Sequence, residues 1–164
     1  MYLVRHKELT LKSGRIGLIS DTHGLLRPQA LSALKGSEII LHAGDIGKPE
    51  VLTSLEKIAP VIAIRGNNDR EPWARNLPDV VNLTANGVPI HIIHNVNEIE
   101  RDPNGKFRIV VSGHSHKPGV VAKEGVFFIN PGSAGPRRFK LPVAVARLSL
   151  GGKKIRTKIV ELKV

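Results

Sequence analysis

The sequence predicts an α/β domain built from two packed β-sheets with helices outside. Three observations carry that reading. Residues 15 to 66 alternate strand, helix, strand, helix, strand. After residue 70 short strand-like runs succeed one another with little helix between them. The chain has 164 residues, 41% of them hydrophobic, which is enough for one domain with a real core.

Residues 1–14 read as an N-terminal extension to a single domain spanning 15–164; within the extension ELTLK alternates like a short strand. RIGLIS, bounded by turn residues, is a buried strand. Pro28 opens PQALSALKG, a short helix that ends at Gly36. EIILHAG is the second strand of this alternation, PEVLTSLEKIA the second helix, and PVIAIRG the third strand. Strand–helix–strand crossovers are right-handed and give a parallel sheet. DVVNLT, VPIHII, FRIVVSG, GVVAKEG, VFFIN, VAVARLSL and KIRTKIVEL are then strands, with a turn or short helix at 95–100. Asn86-Gly87 and Glu124-Gly125 mark hairpins, so this half is expected to be rich in antiparallel pairing.

The chemistry lies in the polar residues just past each apolar strand. Asp21 and His23 come after RIGLIS, and Asp45 after EIILHAG. Asn67, Asn68 and Asp69 come after PVIAIRG, His94 after VPIHII, and His114 and His116 after FRIVVSG. Ligands of open α/β sheets bind beyond the carboxyl ends of strands, where residues distant in sequence meet. His6, His42 and His91 do not share this position and read as ordinary surface or core residues. Asp21, Asp45, Asn67, His23, His94, His114 and His116 make seven side chains, too many for one ion that also binds substrate. Two ions sharing a carboxylate would each keep open positions. Mixed imidazole and oxygen donors suit manganese, iron, zinc, cobalt or nickel. With no cysteine, disulfides and thiolate sites are excluded.

Lys and Arg total 25 against 14 Asp and Glu, a formal net charge of +11 that attracts anionic partners or simply keeps the surface soluble. Aromatic residues are only 4% of the chain, which disfavours a base-stacking platform. No window reaches the ~18 apolar residues of a membrane span, and the N-terminus lacks a signal-peptide core, so a cytoplasmic protein is expected.

In that order, D-x-H, G-D, G-N-x-D, a strand-terminal His and G-H-x-H resemble the calcineurin-like metallophosphoesterase superfamily. The "RGNND" form and the later "INPGSAGPRR" are similar to its small bacterial and archaeal phosphodiesterase branch. The resemblance implies two mixed sheets face to face with helices outside, a four-layer α-β-β-α sandwich. It implies one metal on Asp21, His23, Asp45 and His116, and a second on Asp45, Asn67, His94 and His114, with Asp45 bridging. Manganese is the ion expected first. A hydroxide shared by two ions would attack phosphorus, with Asp45 and Asn67 as the catalytic pair.

Arg65, Arg27 and Arg137, together with Asn68, are candidates for holding the phosphodiester substrate. Asp69 is expected either to orient a ligand imidazole from behind or to tie down its loop, and Asn130, Gly132 and Ser133 to support the site from behind the ligands. Many relatives carry at position 68 a His held to protonate the leaving group. Asn68 has no such proton to give, so good leaving groups are expected to be favoured. His94 is succeeded by Asn95 where relatives usually have Gly. Two alternatives stay open: a non-catalytic scaffold on the same fold, and a nuclease drawn to nucleic acid by the positive charge. The alternation of Lys154, Arg156 and Lys158 reads as a guarded edge strand.

Overall fold

The computed structural model describes residues 2–99, 106–152 and 154–164. Among the described residues eleven strands form two mixed sheets. The five-stranded sheet contains β2 (Arg15–Ile19), β3 (Ile39–His42), β4 (Val61–Ala63), β10 (Ala144–Ser149) and β11 (Arg156–Glu161), in the order β11-β10-β2-β3-β4. The six-stranded sheet contains β1 (Val4–Leu9), β5 (Val80–Ala85), β6 (Val88–Ile93), β7 (Ile109–Val111), β8 (Gly119–Lys123) and β9 (Val126–Asn130), in the order β1-β5-β6-β7-β9-β8.

Alternation along the strands explains the packing. Ile16, Leu18, Ile39 and Leu41 of one sheet meet Val81, Leu83, Ile90, Ile92, Ile109 and Val111 of the other in a buried inter-sheet core. The opposite face of the five-stranded sheet, with Ile19, Ile40 and Val145, is covered by α1 (Pro28–Leu34) and α2 (Pro49–Glu56) through Leu34, Val51 and Leu55. On the outer face of the six-stranded sheet, Val96, which opens a 3-10 turn over Val96–Glu98, and Ile99 just past it pack on Val80, Ile93 and Val110. Of the turn expected at 95–100, residue 100 lies outside the described residues.

β2, β3 and β4 are parallel, as their helical crossovers require. Asn86-Gly87 and Glu124-Gly125 form the two tight hairpins, each residue at positive φ. Two features depart from the sequence expectation. The N-terminal strand is Val4–Leu9 rather than ELTLK, and it pairs in parallel with β5, with Leu11 N–H donating to Asn86 Oδ1 at 2.6 Å. The β6–β7 and β7–β9 pairs are also parallel, so the second half is not simply antiparallel. Parallel pairing brings the carboxyl ends of β6, β7 and β9 to one edge, and the segments holding His94, His114 and Asn130 with them.

Candidate metal centre

Five segments leave strand ends and meet across the gap between the sheets. Asp21, His23, Asp45, His114 and His116 all have positive φ, between 45° and 69°. For residues with a Cβ this costs on the order of 1 kcal/mol each. Five such residues in one cluster mark backbone held away from its relaxed state by the surrounding packing. Glycines make the close approach possible: a Cβ on Gly113 would strike Ser20 and Asp21, and one on Gly66 would strike Asp45.

Asp21 and Asp45 are buried at the centre. His116 Nε2 lies 3.3 Å from Asp21 Oδ1 and 3.3 Å from His23 Nε2. His94 Nε2 lies 3.3 Å from Asp45 Oδ2 and 3.9 Å from Asp21 Oδ1. His23 Nε2 stands 3.8 Å from Asp45 Oδ2. At the mouth His114 Nδ1 is 3.3 Å from Asn67 Oδ1, with its ring edge-on to His94. Although one residue apart, His114 sides with Asn67 and His94, while His116 sides with His23. Asp21 and Asp45 both stand between these groups.

The cluster fits divalent metal. Ligand atoms of Asp21, His23 and His116 lie within 4.8 Å of one another, as do those of Asp21, Asp45 and His94. Asp21 Oδ1 and His94 Nε2 are buried without a hydrogen-bond partner, an arrangement that is costly unless something else satisfies them. His94 Nδ1 donates to Ala43 C=O at 2.7 Å, which leaves Nε2 as the atom facing the carboxylates. Burial pushes the His94 pKa down, but the Asp45 carboxylate and the Ala43 carbonyl outweigh it, and the net shift is upward. Burial pushes Asp45 up, and hydrogen bonds and the charges of His94 and His23 overcome this to hold it near 2. A metal at His94 therefore competes with a proton.

The residues behind the ligands have defined tasks. Asp69 is buried and accepts from the N–H groups of Ile46, Gly47 and Gly66 at 3.1, 3.0 and 2.9 Å, tying the Asp45 loop to the Asn67 loop. Asn68 donates from its backbone to Asp45 Oδ1 at 2.9 Å and from its side chain to Asp45 Oδ2 at 3.0 Å. Asn130 donates to Gly113 C=O and Ser115 Oγ, holding the G-H-x-H turn, and accepts from Gly132 N–H. Ser133 Oγ donates to Asp21 C=O at 3.0 Å. Asn95, in place of Gly, caps the Val96–Glu98 turn by accepting from Asn97 N–H.

Arg65 pairs with Asp79 at 2.8 Å and lines a cavity of about 130 Å³ beside Asn67, His94 and His114. Arg27 donates to Gly135 C=O, and Arg137 is exposed two residues beyond that glycine. His91 stays away from the centre, bonded to Asn82 and stacked on Phe107.

His42 is the contributor that the sequence reading left out. It is fully buried, and burial drives its pKa down to about 3. Thr22 Oγ1 donates to Ile46 C=O at 2.8 Å, so at the 3.0 Å contact with His42 the imidazole Nε2–H is the donor. His42 Nδ1 then accepts from Gly44 N–H at 3.2 Å. This neutral ring joins the Asp21-Thr22-His23 loop to the Gly44-Asp45-Ile46 loop. The signal in the sequence was a polar residue ending the apolar run IIL.

Known proteins resemble this chain over most of its length. Residues 15–153 match the calcineurin-like phosphoesterase superfamily domain. A probable metallophosphoesterase of Methanothermobacter thermautotrophicus is 33% identical over 162 residues, covering 88% of this chain and 91% of its own. A phosphodiesterase of Methanocaldococcus jannaschii is 27% identical over 138 residues, covering 72% of this chain and 82% of its own. Vacuolar protein sorting 29 of Cryptosporidium parvum shares the fold, with a TM-score of 0.77 at 22% identity over 92% of each chain. The matched span takes in every strand end that carries a residue of the cluster, and the chain belongs to the calcineurin-like phosphoesterase superfamily.

Proposed function

We propose that this chain hydrolyses phosphodiesters at a centre holding two divalent transition-metal ions. One observation carries the reading: two carboxylates and the imidazoles of His23, His94 and His116 converge from separate strand ends, with His114 edge-on to His94 at the mouth, and Asp21 Oδ1 and His94 Nε2 are buried without a hydrogen bond. Asp21, His23, Asp45 and His116 would hold one ion, and Asp45, Asn67, His94 and His114 the other. Manganese is assigned first, with iron, zinc, cobalt and nickel compatible with the same donors. When bound, such ions supply Lewis-acid polarisation of a phosphoryl oxygen and an acidified water.

The chain's own groups do the remaining work. Asn68, by holding both Asp45 oxygens, fixes the orientation of the shared carboxylate. Asn67 stands at the mouth, where its amide can meet a phosphoryl oxygen. Arg65, paired with Asp79, lines the adjoining cavity together with Glu98 and is the cation there that can meet a phosphate ester. Arg27, bonded to Gly135 C=O, and the exposed Arg137 are further candidates for holding the ester. Asn68 cannot protonate a leaving oxygen, so esters that leave without help are favoured. The phosphodiesterase relative supports a diester substrate.

The test combines metal analysis with a panel of diesters and monoesters. The expected result is divalent-metal-dependent diester hydrolysis that Asp45→Asn lowers by about 10³-fold or more, with circular dichroism and melting like wild type. If the metal-loaded wild type turns over no diester, a non-catalytic binding role replaces the enzyme reading. Preferential cleavage of oligonucleotides would make it a nuclease.

A further inference from the structure

The other end of the five-stranded sheet carries a cationic patch. Ile19, Val145 and Val160 face the helices, so by alternation Arg15, Arg147, Ser149, Arg156 and Lys158 point to that same outer face. α1 stops at Leu34 and leaves this part of the sheet open, where Arg15, Arg147, Arg156 and Lys158 are exposed. Register places Arg147 directly opposite Lys158, and Ser149 between Arg156 and Arg15. Like charges facing each other across strands are destabilising in the free protein.

Edge protection does not account for this array. β11 is an edge strand, but Arg147 and Arg15 lie on β10 and β2, inside the sheet. A cavity of about 250 Å³ sits over the array, closed on one side by the Lys35-Gly36-Ser37 turn. The Arg15 guanidinium lies beside the Gly36 turn, with Nη1 3.9 Å from where a Cβ on Gly36 would stand. Arg147 is anchored by its Nε–H donating to Ala33 C=O at 2.8 Å. Among the described residues no acidic side chain lines the cavity. Glu38, the nearby acid, is turned to the Lys12-Ser13 backbone.

We propose that this cavity binds a compact, multiply charged phosphate anion of pyrophosphate type. Five cations around a small volume match an anion of several charges, and the Ser37 and Ser149 hydroxyls supply donors among them. The site lies six residues along the chain from Asp21, about 20 Å at strand rise, and is distinct from the metal centre.

An NMR titration of the full chain with pyrophosphate tests this residue by residue. Saturable shifts are expected at the Gly36, Ser37 and Ser149 amides, and they should persist in Asp45→Asn. The double variant Arg156→Ser/Lys158→Ser, and separately Lys35→Ser off the sheet, should weaken binding at least about tenfold in the double variant and measurably in the single one. Shifts confined to the His23, Asp45 and His114 loops, or affinity unchanged in all variants, would overturn the proposal. A 20-nucleotide single strand that outcompetes pyrophosphate at equal phosphate concentration would replace it with a nucleic-acid surface.

Discussion

His42 links the metal-centre geometry to acid stability. In the unfolded chain its imidazole has the ordinary pKa of 6.5, whereas in the folded protein burial lowers it to about 3. Between those values the unfolded state binds a proton that the native state does not, so stability falls as pH falls. The slope is about 1.4 kcal/mol per pH unit, and lowering the pH from 7.5 to 4.5 removes about 2.7 kcal/mol. Asp45 adds little in this window, because its stabilisation is lost only as pH falls through 3.8 towards 2. His94 has the opposite sign: its raised pKa adds stability at low pH that is lost as pH rises through the folded value. The wild-type curve alone therefore mixes terms. The assay is urea unfolding in chelator from pH 7.5 to 4.5, for wild type and His42→Gln. The difference between their stabilities should shrink by about 2.7 kcal/mol over that range. Parallel curves, or an NMR titration placing the folded His42 pKa above 5, would refute the reasoning.

Asp69→Ala leaves the N–H groups of Ile46, Gly47 and Gly66 without their acceptor, at about 1 kcal/mol or more each. Urea unfolding should show a loss of at least about 3 kcal/mol, and a loss below 1 would mean that other groups tie the loop. Divalent metal at about 100 times its Kd should stabilise the protein by about 2.7 kcal/mol, raising Tm by roughly 5–10 °C. Calorimetry with manganese and then chelator measures this, and an equal rise in Asp21→Asn/His94→Ala would contradict metal binding at the cluster. Across aryl and alkyl diesters, turnover should drop steeply as leaving-group pKa rises, because Asn68 supplies no proton. A flat series with chemistry rate-limiting would remove that idea, and Asn68→His should flatten the slope if it is right.

Local pattern carried much of this protein in plain view. The apolar runs, Pro28 and Pro49 at helix starts, and the Asn86-Gly87 and Glu124-Gly125 turns are short-range signals, because strand period, proline geometry and positive-φ turns act within a few residues. The polar residues just beyond strand ends are equally local, so the candidate ligands could be named before their neighbours were known. Partnerships between segments distant in sequence carry no such local mark. The parallel pairing of β6, β7 and β9 places His94, His114 and Asn130 at one edge, yet nothing in VPIHII or FRIVVSG states which strand lies alongside. The same holds for β1, which crosses to β5 some seventy-six residues away. Asp69 reads identically as a helper of the ligands or a loop tie until its three N–H donors are in place. His42 reads as core until Thr22 and Gly44 close around it. Residue chemistry was set by the chain. Which groups face each other was set by sheet order and burial, since those come from hydrophobic packing summed over the whole molecule.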